Sequence, residues 1–136
     1  MNLPLSGATL IDGRGGEPVP NASVLVDGEK IAVVGGTAAA QPPPAAEVID
    51  LHGCYLLPGL IDAQIHTYHP GVVEDPGPDA YNILVAARTA RDNLMAGVTT
   101  LRDTGTANRI TFALRRAIQE GLVPGSRIVA CGPIIC

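Results

Sequence analysis

The sequence predicts an α/β fold in which a β-rich N-terminal part precedes an alternation of strands and helices. Three observations support this. The chain has 136 residues, of which 46% are hydrophobic and 16% charged, a balance typical of a folded soluble domain. Aromatic residues make up only 3%, so the core is built from Val, Ile, Leu and Ala, as in parallel sheets covered by helices. The pattern of turns and apolar runs changes near Pro58.

The part before Pro58 is predicted to consist of short strands separated by turns. The Asp27-Gly28 pair between two aliphatic runs is the best hairpin signal, because both residue types tolerate positive φ. Three consecutive prolines interrupt the segment 38–46, which is therefore predicted as a surface loop. We expect this part to be antiparallel, with strands near 8–11, 23–26, 31–34, 48–51 and 54–57.

The part after Pro58 alternates between strand and helix patterns. Apolar residues recur at helical spacing between Asp79 and Gly97, and again from near Asn108 to Gly121. The alternation predicts parallel strands joined by right-handed crossovers. The predicted strands are 60–66, 98–101 and 127–131, and the predicted helix faces are Ile83, Ala87, Ala90 and Leu94, then Ile110, Leu114, Ala117 and Ile118.

Polar side chains alternate along the first strand of the second part. Asp62, Gln64 and His66 share one face of a strand, while the aliphatic residues between them share the other. If the aliphatic face packs under helices, the polar face points to the opposite side, at the carboxyl end of the strand. A lone histidine in this position is more often structural or solvated than a ligand.

Three sequence motifs resemble a known family. They are Pro58-Gly59-Leu60-Ile61-Asp62-Ala63 followed by two residues and then His66, the N-terminal Ala8-Thr9-Leu10-Ile11-Asp12-Gly13, and Ala96-Gly97-Val98-Thr99-Thr100-Leu101-Arg102-Asp103. Together they resemble the metal-dependent amidohydrolase superfamily, and most closely its imidazolonepropionase-like and prolidase-like branch. The resemblance implies part of a small composite β-sandwich over 1–58 and the start of a (β/α)8 TIM barrel over 59–136. Such a barrel takes about 200–250 residues, so this one is incomplete.

The resemblance also implies a metal site. In the family, paired histidines on the first barrel strand hold zinc or another divalent metal. His66 matches the second histidine, but Gln64 stands at the position of the first, and a carboxamide is a poorer zinc ligand than imidazole. The family's other ligands would lie beyond Cys136. We therefore expect the isolated chain to bind no catalytic metal and to contain no complete catalytic set.

Substrate-binding residues are predicted at the same rim. His69 follows the motif on a loop and could contact the substrate, although solvation is the more common role for such a residue. Arg102 and Asp103 end the second strand near His66; substrate contact competes there with an ion pair or a helix cap. The segment Thr104-Gly105-Thr106 either leads into a helix or faces a ligand.

The sequence is consistent with two functions. The first is the N-terminal portion of a hydrolase that acts on carbon–nitrogen bonds of small amide, lactam or dipeptide-like substrates. The second is a non-catalytic, truncated or degenerate relative with a role in assembly. The net charge of -4 and the scattered basic residues argue against nucleic acid. We expect no membrane segment, a cytoplasmic location, and association with a second copy or with the missing C-terminal part.

Overall fold

The computed structural model describes residues 2–36, 47–68, 79–106 and 109–133. It has a mixed α/β composition and divides into two compact units, Met1–Pro58 and Gly59–Cys136. The first unit contains the strands β1 (Asn2–Leu10), β2 (Val19–Asp27), β3 (Lys30–Gly36), β4 (Ile49–Asp50) and β5 (Tyr55–Leu56). The second contains β6 (Leu60–Ile65), α1 (Asp79–Met95), β7 (Val98–Asp103), α2 (Ile110–Gln119) and β8 (Arg127–Ala130).

The first unit is one sheet with the strand order β3-β2-β1-β4, and β5 also pairs with β1. The predicted hairpin is confirmed, because Asp27 pairs with Lys30 and Gly28 takes a φ of 59° in the turn between them. The strand β1 begins at Asn2, so it is longer than the apolar run that predicted it.

The prediction that this unit is wholly antiparallel is wrong. The strands β4 and β5 both run parallel to β1, with Ile49 opposite Leu5 and Tyr55 opposite Thr9. A tight turn joins only antiparallel neighbours, whereas the long connection between β3 and β4 allows the chain to return in the direction of β1.

The second unit is a three-stranded parallel sheet in the order β6-β7-β8, as the alternation of strands and helices predicted. Its core consists of apolar side chains from both helices and all three strands. Burial of these aliphatic groups is the main term that holds the helices on the sheet. The buried members are Tyr68, Ala86, Ala90, Leu101, Ile110, Leu114 and Ile128.

The helix α1 confirms the predicted span, and Gly97 ends it with a φ of 88° and an N–H bond to the carbonyl of Leu94. Its buried residues are Asn82, Ala86 and Ala90, whereas Ile83 and Ala87 are half-buried. The buried face of α1 is therefore rotated about the helix axis relative to the predicted face. The small side chains of Ala86 and Ala90 are fully buried, and the larger Ile83 and Val85 pack against the core as partly buried residues.

The helix α2 is shorter than predicted but uses the predicted residues. Ile110 and Leu114 are buried, Ile118 is half-buried, and Thr111 is also fully buried. The buried hydroxyl of Thr111 lies among polar groups that are described below. Neither of the helices in the described ranges combines the length and apolarity that a membrane crossing requires.

Candidate functional site at the ends of β6 and β7

The carboxyl ends of β6 and β7 lie side by side. Ile65 pairs with Asp103, and the backbone N–H of Thr104 donates to the carbonyl of Ile65 at 2.9 Å. His66 therefore leaves the sheet next to the segment that follows β7. Open α/β sheets bind ligands in the space beyond the carboxyl ends of their strands, so this edge is the natural place for a site.

The imidazole of His66 is oriented by a backbone carbonyl. Its Nδ1 lies 2.6 Å from the carbonyl oxygen of Gly105. A carbonyl oxygen has no proton to give, so Nδ1 must carry the proton and donate it. In the neutral ring the lone pair is then on Nε2, which is the arrangement found in most metal-binding histidines. The side chain is exposed, although its neighbour Ile65 packs against the helix-covered core.

Gln64 is exposed on the same strand, two residues before His66. Its backbone N–H donates to Oδ1 of Asp62 at 2.9 Å, so that carboxylate turns back onto its own strand. The pairing of β6 with β7 is irregular between Asp62 and Ile65, which indicates a bulge. Bulges are common next to functional sites because they change the direction of nearby side chains.

Asp103 lies in the interior, with a relative exposure of 0%. Its Oδ2 accepts from the backbone N–H of Thr67 at 3.0 Å and from the hydroxyls of Thr67 and Thr111 at 2.6 and 3.3 Å. Its Oδ1 accepts from the N–H of Gly105 at 2.9 Å. The predicted substrate contact by Asp103 does not fit this burial, because four internal donors surround the carboxylate.

The other two predicted substrate-binding residues differ in their placement. Arg102 is exposed between the buried Leu101 and Asp103, so its side chain lies on the sheet face away from the helices. Gln64 and His66 are exposed as well and flank the half-buried Ile65 in the same way. His69 lies outside the described residues, and its role stays a prediction.

Sequence reasoning missed Thr67 and Thr111. It named Gly105 only within a segment that leads into a helix or faces a ligand, and not as the carbonyl acceptor that orients His66. One signal could have identified part of the arrangement. An aspartate followed two residues later by glycine often forms a turn in which the carboxylate accepts the glycine N–H, as Asp103 does. The contacts of Asp103 with Thr67 and Thr111 join residues far apart in the chain, and no local pattern predicts them.

The fit of this site to a divalent metal is partial. Imidazole nitrogen is a good zinc ligand, and the bond from Nδ1 to Gly105 prepares His66 for that role. Gln64 offers only a neutral amide oxygen. Within residues 2–36, 47–68, 79–106 and 109–133, no three His, Cys, Asp or Glu side chains are grouped closely enough to hold an ion. His66 can therefore supply one ligand of a shared set.

The first unit has a separate apolar groove of about 670 Å³ on its sheet. It is lined mainly by aliphatic side chains, including Leu5, Val24 and Val34, with Asp12 and Arg14 at the same groove. This composition suits packing of apolar groups better than catalysis, which needs convergent polar groups.

The remaining described histidine, His52, lies in an exposed turn of the first unit. Its backbone N–H donates to Oδ1 of Asp50 at 3.0 Å, and its Nδ1 contacts the same oxygen. The backbone hydrogen bond from His52, followed by the side-chain bond, lowers the pKa of Asp50 from its ordinary value of 3.8. The two side chains are largely exposed, so the pair has the character of a local turn rather than a site.

Comparison with known proteins places this geometry in context. The model of the amidohydrolase family matches residues 55–136, which include the whole of the site described above. Imidazolonepropionase of Idiomarina loihiensis is 39% identical over 67 residues, which are 49% of this chain and 16% of that protein.

Two solved structures match nearly the whole chain. Molinate hydrolase superposes with a TM-score of 0.86 and 32% identity, over 98% of this chain and 30% of that one. A Xaa-Pro dipeptidase with bound methionine superposes with a TM-score of 0.87 and 25% identity, over 99% of this chain and 34% of that one. The chain thus spans from 16% to 34% of the length of these three proteins.

Proposed function

The chain belongs to the amidohydrolase family, and from that premise we propose that it is the N-terminal portion of a metal-dependent hydrolase acting on carbon–nitrogen bonds. The proposed substrates are small amide, lactam or dipeptide-like molecules. The names of its relatives, among them an imidazolonepropionase and a Xaa-Pro dipeptidase, support this class. A divalent ion such as zinc would supply Lewis-acid activation of water and of the substrate carbonyl.

The observation that carries the proposal is the hydrogen bond from Nδ1 of His66 to the carbonyl of Gly105. A solvated histidine has no need of a fixed tautomer, whereas a metal ligand is usually held in one by a bond from its second nitrogen. His66 also lies at the carboxyl edge of a parallel sheet, where barrel enzymes have their active sites. Residues of the remaining chain would complete the ligand set and the barrel.

Among the residues that the structure describes, Arg102 is the one best suited to contact the substrate. Arg102 is exposed, as are Gln64 and His66, and it alternates along its strand with the buried Leu101 and Asp103. Guanidinium groups bind carboxylates through two parallel hydrogen bonds, which suits the free carboxylate of a dipeptide-like substrate. Asp103, in contrast, is buried and accepts hydrogen bonds from Thr67, Gly105 and Thr111.

A second candidate function is favoured by Gln64. If the carboxamide replaces a required imidazole, the whole protein is a non-catalytic relative in which this part serves in assembly. The exposed Leu60 and Ile61 of β6, at 52% and 70%, offer apolar surface for association with the C-terminal part or with a second copy.

Zinc titration of the 136-residue chain by calorimetry tests the metal proposal. We expect little zinc binding by the natural sequence, and at least roughly tenfold tighter binding by Gln64→His, because imidazole is much the better ligand. Adding His66→Ala to that variant should abolish the gain. Adding His52→Ala instead is the matched control, since His52 lies in the first unit, and it should change nothing. No gain from Gln64→His would contradict the assignment of positions 64 and 66 as a ligand pair.

The two functions are separated by an assay of the longer protein that contains this chain. The metal-loaded protein is tested for hydrolysis of a panel of N-acyl amino acids, lactams and dipeptides. Hydrolysis that is lost on His66→Ala supports the enzyme. Hydrolysis that appears only after Gln64→His supports the degenerate relative. Activity that is unaffected by His66→Ala would contradict both the metal role and the site.

A further inference from the structure

A cluster of buried polar side chains lies directly beneath His66. Asp103, Thr106, Thr111 and Thr67 have relative exposures of 0%, 1%, 0% and 2%. Most buried polar groups in proteins are hydrogen-bonded, and removing one member of a buried cluster leaves its partners unsatisfied. The cluster connects β6, β7 and α2 at the one edge of the sheet where His66 leaves it.

The hydrogen bonds of the cluster fix the direction of the Gly105 carbonyl. On one side of Gly105, its own N–H is held by Oδ1 of Asp103 at 2.9 Å. On the other side, the N–H of Thr106, in the same peptide plane as the Gly105 carbonyl, donates to the carbonyl of Gly132 at 3.3 Å. Gly105 has a φ of 144°, a conformation that other residues rarely adopt. The peptide that faces His66 is therefore held from both ends.

The hydroxyl groups extend this hold to α2. Thr111 gives its single hydroxyl proton to Oδ2 of Asp103. The oxygens of Thr106 and Thr111 are 2.5 Å apart, so Thr106 must be the donor to Thr111. The same Oδ2 accepts from both the N–H and the hydroxyl of Thr67, the residue after His66. Asp103 thus fixes the backbone on which His66 stands and also the carbonyl that its ring contacts.

We infer that Asp103 is a positioning residue for His66, holding Thr67 and Gly105 so that the imidazole keeps its proton on Nδ1 and its lone pair on Nε2. The ligand of this ring would be the divalent metal of the proposed function. The reason for holding the ring in place therefore rests on the proposed function, whereas the hydrogen bonds that hold it do not. A carboxylate suits the position because it only accepts hydrogen bonds, and all four groups that reach it are donors. An amide would turn an NH₂ group towards one of them.

The test is the tautomer of His66, read from the ¹⁵N and ring-proton correlations of histidine-labelled chain at alkaline pH, where imidazole is neutral. The natural chain should show the Nδ1–H form at His66. Asp103→Asn should lose that signature, while the signals of His52 stay unchanged. Ser126→Ala is the matched control. Its hydroxyl is equally buried and bonds to the carbonyl of Val98 at 2.6 Å, at the opposite end of the strands, so its loss should leave His66 as it is.

Thr111→Val keeps the test decisive if Asp103→Asn does not fold. This substitution removes the hydroxyl that links α2 to Asp103. It should reduce the population of the Nδ1–H form of His66 through the loss of that link. A His66 signature that is unchanged in folded Asp103→Asn overturns the inference. If Asp103→Asn does not fold, an unchanged signature in Thr111→Val overturns it.

Zinc affinity distinguishes this inference from the proposed function. In the Gln64→His background, Asp103→Asn should weaken zinc binding by about 10- to 100-fold, the usual effect of losing the partner that orients a ligand. A changed tautomer without any zinc binding would leave Asp103 as the positioning residue and contradict the metal role. Zinc binding with an unchanged tautomer would support the metal role and remove the one assigned to Asp103.

Discussion

Two aspartates with the same local geometry have opposite surroundings in the two units. Asp50 accepts the N–H of His52, and Asp103 accepts the N–H of Gly105, in each case two residues further along. Asp50 is exposed, with its side chain at 74%, whereas Asp103 is fully buried. The same turn is therefore used once as a solvated corner and once as the centre of a polar cluster.

The difference lies in the second carboxylate oxygen. At Asp103, Oδ2 accepts bonds from Thr67 and Thr111, which belong to other parts of the chain. The contacts of Asp50 with His52 are confined to neighbouring residues. A bond within a turn needs little else to be folded, while a bond between distant residues is formed only when the whole unit is folded. We expect mutations to separate the two regions accordingly.

Asp103→Ala should have the largest effect. It leaves the donors of Thr67, Gly105 and Thr111 buried without their acceptor, and each such group costs about 1–3 kcal/mol. We expect a loss of about 3 kcal/mol or more in the free energy of unfolding of the second unit. Hydrogen exchange of the α2 amides measures it. Protection in α2 equal to that of the natural chain would contradict the central place of Asp103.

Gly105→Ala should have the second largest effect. The φ of 144° at Gly105 is strained for any residue with a Cβ, at a cost of about 1–3 kcal/mol. Relief of the strain would rotate the carbonyl away from His66, so the ring correlations of His66 should change together with stability. The measurement combines urea unfolding with the histidine spectra. A stable variant with unchanged His66 signals would show that the glycine is dispensable.

Gly7→Ala tests whether the ring of His52 lies against the backbone of Gly7 in the first unit. Gly7 has a φ of 87°, and a Cβ there would lie 2.5 Å from Nδ1 of His52. Gly53→Ala is the control, because its φ of 79° is similar but its Cβ would meet nothing within 4 Å. Both should lose about 1–2 kcal/mol from the left-handed backbone. Gly7→Ala should lose more, and His52→Ala should remove the excess. Equal losses in the two glycine variants would contradict the ring contact.

Asp50→Asn should have the smallest effect. Its lowered pKa means that the hydrogen bonds from His52 stabilise the charged carboxylate. This stabilisation is present above the ordinary carboxyl pKa of 3.8 and is lost as the pH falls through the lower folded value. Thermal melting of the two proteins should differ slightly at neutral pH and converge in acid. A difference that grows in acid would contradict the direction of the pKa shift.

The sequence predicts the parts of this fold that are governed by short-range rules. The hairpin at Asp27-Gly28 and the end of α1 at Gly97 both follow from residues that accept positive φ, and both are confirmed. The parallel alternation after Pro58 follows equally from the periodicity, and the observed order is β6-β7-β8. Each of these features is determined by a window of a few residues.

The features that the sequence did not predict depend on distant partners. The parallel pairing of β4 with β1 depends on which strand lies beside β4 in the folded unit. The burial of Ala86 in place of a larger residue depends on how α1 is rotated about its axis. Asp103 is the clearest case. Its charge and its place at a strand end suggested a substrate contact, an ion pair or a helix cap, whereas it is buried and accepts hydrogen bonds from the hydroxyls of Thr67 and Thr111.

The links from Thr111 through Asp103 to Gly105 also bear on the order of assembly. The ring of His66 receives its orientation from groups on β7 and α2, which enter the chain some 40 residues after it. A newly made or partly unfolded chain therefore lacks the contact with the Gly105 carbonyl that orients the ring of His66. Under the proposed metal role of His66, tight binding of an ion by the longer protein would require that α2 has docked first, so an incompletely folded centre would be loaded poorly.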